Sequence, residues 1–114
     1  MPRATTNADV FNAVAEARRR EILSFLVGSE RCVGDIAEAL EMGQPSVSKH
    51  LKVLREVGLV RARRDGRRML YSVDAEAIRP LHEWTETFRR YWRHQLDRIK
   101  DRAERPDDRE RTDS

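Results

Sequence analysis

Val10, Phe11 and Val14 form a short apolar stripe at helical spacing, and Ile22, Leu23, Phe25 and Leu26 form a second, with Arg18, Arg19 and Arg20 between them. The pattern predicts two helices, the first beginning at Asp9 and breaking near Ala17, with Gly28 and Ser29 stopping the second. Val33, Ile36, Ala37 and Leu40 then fall at i, i+3, i+4 and i+7, one face of a short helix that Gly43 breaks. Pro45 suits the first position of a further helix, whose buried face is Val47, Leu51 and Leu54 and whose end is Gly58. Two short amphipathic helices joined by a tight turn make a helix-turn-helix pattern, in which the second helix usually lies in the DNA major groove.

After Gly58 the period changes. Leu59 to Arg64 and Arg68 to Val73 flank Asp65-Gly66, a dipeptide favoured in tight hairpin turns, so a β-hairpin follows as the wing of a winged helix. From Ala75 a last helix is expected to run to about Ala103, with Ile78, Leu81, Trp84, Phe88, Tyr91, Trp92, Leu96 and Ile99 recurring every three or four residues, and Pro80 near its start. The fold class is therefore mainly α with a small β-hairpin: a winged helix-turn-helix with helical N- and C-terminal dimerisation elements. Residues 1–8 are expected to be disordered, 9–103 to form one DNA-binding and dimerisation domain, and 104–114 to be a disordered charged tail.

Composition sharpens this picture. Hydrophobic residues are 39% and charged residues 38% of 114, against roughly 45 to 50% and 25% in an ordinary globular chain, so a single subunit has little apolar material and is expected to need a partner. The apolar runs are too short for a membrane span or a secretory signal. One cysteine, Cys32, excludes an internal disulfide and a multi-cysteine zinc site within one subunit, and a reducing, cytoplasmic setting fits best. No glycine-rich phosphate loop, His-Glu-x-x-His motif or nucleophile constellation occurs, so neither an enzyme nor a cofactor is expected.

With Val47 at the centre of the buried face and about 100° per residue, Ser48, Lys49 and Lys52 point away from the core. Their hydroxyl and ammonium groups suit phosphates and base edges, and Gln44 and Ser46 at the helix start suit the same work. His50 lies beside the buried face, where a packing role is the plainer reading. The wing segment carries five arginines, Arg61, Arg63, Arg64, Arg67 and Arg68, against one acid, Asp65, a surplus larger than the +3 of the whole chain. Alternation along a strand forbids all five from facing one ligand, and those nearest the tip, Arg64, Arg67 and Arg68, are the candidates for a minor groove or phosphates. Ordinary solvated charge is the alternative for both sets.

On the last helix the apolar stripe is wider than a domain this small requires. Leu81, Trp84, Phe88, Trp92 and Ile99, opposite Val10, Phe11 and Val14 of the first helix, read as a subunit interface, the alternative being a helix packed wholly within the monomer.

Three stretches, Ala17-Arg18-Arg19-Arg20-Glu21-Ile22-Leu23, Val33-Gly34-Asp35-Ile36-Ala37 and Gln44-Pro45-Ser46-Val47-Ser48-Lys49-His50-Leu51-Lys52-Val53-Leu54-Arg55-Glu56-Val57-Gly58-Leu59-Val60, resemble the ArsR/SmtB family of bacterial winged-helix repressors over about residues 9 to 100. The resemblance implies a homodimer, held by the first and last helices, that binds a double-stranded operator of two-fold symmetry and represses transcription. Many members sense metals through a stretch similar to Glu-Leu-Cys-Val-Cys-Asp-Leu, and here Gly34 stands in place of the second cysteine, leaving Cys32 at a helix start. A second family site uses Asp-x-His and a later His; here Pro80 replaces the acid, and His82 and His94 are out of register by about 120°. His94 with Asp97 is a fragment of such a site, so a zinc- or nickel-responsive repressor is one alternative, and a winged helix that only docks proteins is another. Trp84 to Trp92 resembles a metal-independent branch, and the sequence leaves the small-molecule effector of such a branch unknown.

Overall fold

The computed structural model describes residues 7–104. The order is α1 (Asn7–Val14), α2 (Ala17–Leu26), α3 (Val33–Leu40), α4 (Gln44–Glu56), β1 (Val60–Asp65), β2 (Arg68–Val73) and α5 (Ala75–Glu104). Asn7 and Ala8, expected to fray, are already helical; the remaining expectations of disorder at both ends lie outside the described residues. The described residues group into two units that divide between Leu81 and His82: a winged helix, and the continuation of α5 as a helix of its own.

The winged helix is organised by one core. Ile22, Leu26, Ile36, Val47, Leu51, Leu54 and Leu59 are 0 to 1% exposed, so α2, α3, α4 and the entry to β1 each bury a face in the same place. Val10 and Ala13 of α1 join this cluster, and Arg19 and Arg20 of α2 donate to the carbonyls of Ala13, Val14 and Ala15, satisfying groups left over where α1 ends.

Two turns set the functional elements. At the end of α3 the left-handed residue is Glu41, with φ 52°, and Met42 N–H bonds to the Ala37 carbonyl. Gly43, expected to break α3, instead stands before the first residue of α4, with Pro45 in that helix's first turn. At the end of α4, Gly58 has φ 84°, its N–H bonds to Arg55 O at 3.0 Å, and Leu59 N–H bonds to Leu54 O at 2.9 Å. This paired closure puts the buried side chains of Leu54 and Leu59 together and aims the chain into β1.

The hairpin is antiparallel, in register from Val60 opposite Val73 to Asp65 opposite Arg68. Its two-residue loop is Gly66-Arg67, one position later than the Asp65-Gly66 expectation, and Gly66 carries the positive φ of 64° that a first loop residue needs. On its outer side β2 pairs with Arg31 through Arg31 N–H to Tyr71 O at 3.0 Å and Tyr71 N–H to Arg31 O at 2.8 Å. Asp74 closes the wing and opens α5: its N–H bonds to Leu59 O, and its carboxylate accepts from Glu76 N–H.

Leu54→Ala, removing a side chain shared by α4 and the hairpin entry, is expected to lower unfolding stability by about 2 to 5 kcal/mol. Arg64→Ala, on the exposed strand, should stay within about 0.5 kcal/mol. Denaturant titrations at one fixed protein concentration check both.

Candidate nucleic-acid interface

α4 is divided lengthwise by its own burial pattern. Val47, Leu51 and Leu54 face the core, while Gln44, Ser46, Ser48, Lys49 and Lys52 are exposed, and none of these five side chains has a hydrogen-bond or ionic partner among the described residues. Gln44, Ser48 and Lys52 follow one another at four-residue steps, with Lys49 one row further out. Ser46 falls on another side of the helix, about 160° from Ser48, so it does not belong to this row. The Gln44 amide leans toward the start of α3, where a β-carbon on Gly34 would meet its Nε2 at 3.8 Å.

Between α4 and the hairpin lies an open cleft of about 380 Å³ lined by Ser48, Leu51, Lys52, Arg55, Glu56 and Tyr71. Arg55 is exposed and unpartnered among the described residues, and it extends the Ser48 row by two turns, yet it lies outside the set derived from sequence. Its spacing of seven from Ser48 is the signal that would have found it. Tyr71 is recognisable only once the strand register puts it opposite Ala62 and into the cleft.

The wing sorts its arginines. Arg63 makes a two-pronged bond to Glu30, Nε to Oε2 and Nη2 to Oε1, both at 2.7 Å. Arg61 reaches the Asp74 carboxylate at 3.2 Å, and Arg68 reaches Asp65 across the turn at 3.8 Å. Arg64 and Arg67 are exposed and unengaged among the described residues. Of the three tip arginines expected to meet DNA, Arg68 is thus the one with a local carboxylate, at a separation too long for a hydrogen bond. The hydrogen bonds from Arg63 hold the Glu30 carboxyl below the usual glutamate range, and the same bonds raise the Arg63 guanidinium.

His50 is half-buried and its Nδ1 accepts from Arg19 Nε at 3.4 Å, so it ties α4 to α2. Cys32 stands immediately before α3 at its N-cap position, half-buried, and its thiol makes no capping hydrogen bond. Among the described residues no three His, Cys, Asp or Glu side chains come together as metal ligands; His82 approaches only Glu86, at 4.0 Å.

The expected interface residues divide. Val10 is 3% exposed inside the winged-helix core, and Val14 and Leu81 are half-buried against the same core. Phe11 is half-buried. Trp84, Phe88, Trp92 and Ile99 on α5 are 55, 40, 59 and 63% exposed, and Tyr91 and Leu96 widen the stripe. Trp84 meets Phe88 edge to face at 5.3 Å and Tyr91 meets Trp92 at 5.9 Å, so the rings brace one another along the helix.

A helix-turn-helix followed by an antiparallel wing, with a cationic row on the second helix, defines a winged helix-turn-helix protein. Residues 16–62, from the threshold of α2 into β1, match the bacterial regulatory protein, arsR family. The transcriptional repressor SdpR of Bacillus subtilis is 32% identical over 80 residues, which span 70% of this chain and 89% of that protein. The transcriptional repressor SmtB homolog of Synechocystis is 37% identical over 82 residues, 72% of this chain and 62% of that protein. In structure, the chain is similar to the homodimeric winged helix-turn-helix DNA-binding domain of a possible ArsR-family transcriptional regulator from Mycobacterium bovis, with TM-score 0.62 and 35% identity over 72% of this chain and 79% of that one. The chain belongs to the arsR family of bacterial transcriptional regulators.

A lowered carboxylate pKa in the folded state adds stability that is fully present above the ordinary glutamate value of about 4.3 and is lost as pH falls through the lowered value. The stability difference between the wild type and Glu30→Gln should therefore be constant from neutral pH to roughly pH 5 and shrink below it. Denaturant midpoints across pH measure it, and a difference that stays flat into strong acid would contradict the pairing.

Proposed function

We propose that this regulator is a homodimeric repressor in the cytoplasm that binds a two-fold symmetric DNA operator with α4 in the major groove and the wing tip on the neighbouring backbone or minor groove. The single observation that carries the reading is the set of exposed, unengaged groups on two adjoining elements: Ser48, Lys49, Lys52 and Arg55 on α4, and Arg64 and Arg67 on the wing. Cations already paired within the fold would have to be released before meeting a phosphate, whereas these are available as they stand. Residues 9–103 act together in this reading, α4 and the wing binding DNA and the α5 stripe of Trp84, Phe88, Trp92 and Ile99 joining the subunits, with Phe11 contributing from α1. The names of the B. subtilis and Synechocystis relatives favour repression, and the M. bovis neighbour favours a dimer. Regulation proceeds by binding rather than catalysis.

Helix and wing take different parts. Ser48→Ala should reduce discrimination between an operator-bearing genomic fragment and random DNA by about 1 to 3 kcal/mol, the worth of a base contact. Arg67→Ala should weaken both alike and lower the log–log salt slope by about 0.9, the value of one neutralised phosphate. Titrations of each variant against both DNAs over a range of salt decide between them, and a salt-independent wild type would contradict DNA binding altogether.

Trp92→Ala is expected to lower dimerisation and operator affinity together, because a buried aromatic truncated to alanine costs about 3 to 5 kcal/mol. Sedimentation at micromolar concentration reads the first and operator titration the second; a stable wild-type monomer that still binds operator would contradict the assembly. The proposed regulator also works without a metal: Cys32 is the only thiol and Gly34 its neighbour on α3. Zinc, nickel, cobalt or copper added to chelator-treated protein should change operator affinity by less than about tenfold, or 1.4 kcal/mol.

A further inference from the structure

Arg63 and Arg64 are adjacent on β1, and strand alternation sends them to opposite faces of the hairpin. Arg64 shares its face with Ala62 and Tyr71, the face that borders the α4 cleft, and it has no partner among the described residues. Arg63 turns the other way and meets Glu30 in a planar two-pronged bond with both distances at 2.7 Å, the strongest geometry a guanidinium and a carboxylate can adopt. Glu30 is itself held in place, because the next residue, Arg31, is joined to Tyr71 by two backbone hydrogen bonds of 3.0 and 2.8 Å. The segment between α2 and α3 thus grips both strands of the wing, β2 through the backbone of Arg31 and β1 through the side chain of Glu30.

We propose that Glu30 is a positioning residue for DNA binding: it fixes the angle of the wing through Arg63 and withholds that one cation from phosphate, leaving Arg64 and Arg67 as the wing's DNA contacts. The proposal rests on the DNA-binding reading above and deepens it. The pair is solvent-exposed, at 57% for the Arg63 side chain and 37% for Glu30, so its worth to fold stability is small and its effect is read in DNA binding. The pair is also net neutral, so Arg63 adds no net charge toward an approaching phosphate backbone. Without Glu30, Arg63 becomes a mobile cation beside the tip, which raises attraction to any DNA and blurs the wing's placement on the operator.

The test compares salt slopes on a mixed-sequence DNA duplex and on a genomic fragment recovered by selection with the wild-type protein. Arg63→Ala is expected to leave the log–log slope at the wild-type value, whereas Arg64→Ala and Arg67→Ala each lower it by about 0.9. Glu30→Gln is expected to steepen the slope by about 0.9 and to lower the ratio of operator to mixed-sequence affinity, and adding Arg63→Ala to it should return the slope to the wild-type value. The exchanged pair, Glu30→Arg with Arg63→Glu, should restore the affinity ratio, which a loss of folding would not permit. An Arg63→Ala slope as low as that of Arg67→Ala would overturn the proposal, since Arg63 would then leave Glu30 for phosphate on the DNA. A Glu30→Gln protein with an unchanged slope and ratio would overturn it as well. A wild type that binds neither DNA would overturn this proposal and the DNA-binding reading together, and it would be seen before any variant is compared.

Discussion

The burial of Val47, Leu51 and Leu54 fixes the rotation of α4 about its own axis, and the exposed row on that helix has its direction only because these three side chains cannot turn out of the core. Their partners are Ile22 and Leu26 of α2, Ile36 of α3 and Leu59 at the entry to the hairpin, all closed to solvent. Leu54 and Leu59 also meet through the helix closure at Gly58, so the wing is hung from the same residues that orient the helix. In a chain with only 39% hydrophobic residues this one cluster carries the winged helix, and a loss there would disturb the helix and the wing at once.

Charge is arranged on top of that frame by strand alternation and local pairing rather than by amount. Five wing arginines are divided into those with carboxylate neighbours, Arg61, Arg63 and Arg68, and those without, Arg64 and Arg67. Exposed pairs of this kind contribute little to stability but decide which cations an incoming polyanion meets unengaged. On α4 the same division is made without pairing: Lys49, Lys52 and Arg55 are exposed, and Glu56 is the one acid among the described residues lining the cleft beside Lys52 and Arg55.

Much of this was legible in the sequence, for a physical reason. The helical period of Val33, Ile36, Ala37 and Leu40, the Pro45 start and the Gly58 stop are local rules, and they hold where tertiary contacts agree with them. The α3 stop was misplaced because Glu41 takes the left-handed conformation usually left to glycine, and no sequence rule identifies a glutamate for that role. The pairing of Arg63 with Glu30 spans 33 residues and depends on the hairpin register, so no local pattern could reveal it. Val10, an interface candidate on a short apolar helix, is also buried in the core of its own subunit, where Arg19 and Arg20 of α2 bond to carbonyls at the end of that helix, a contact no local pattern shows. Arg55 was within reach of a helical wheel carried one turn further.

In the proposed dimer α4 and the wing are two parts of one reader, presented twice. Hydroxyl-radical footprinting on a genomic fragment selected by the protein tests this most directly, because it maps both parts on the same DNA. The expected pattern is two equivalent protected half-sites related by two-fold symmetry, centred one helical turn of about 10 base pairs or a multiple of it apart, each with a flanking protection from a wing that disappears in Arg64→Ala, Arg67→Ala protein. A single unsymmetric protected segment, or flanking protection that survives the loss of both arginines, would contradict it.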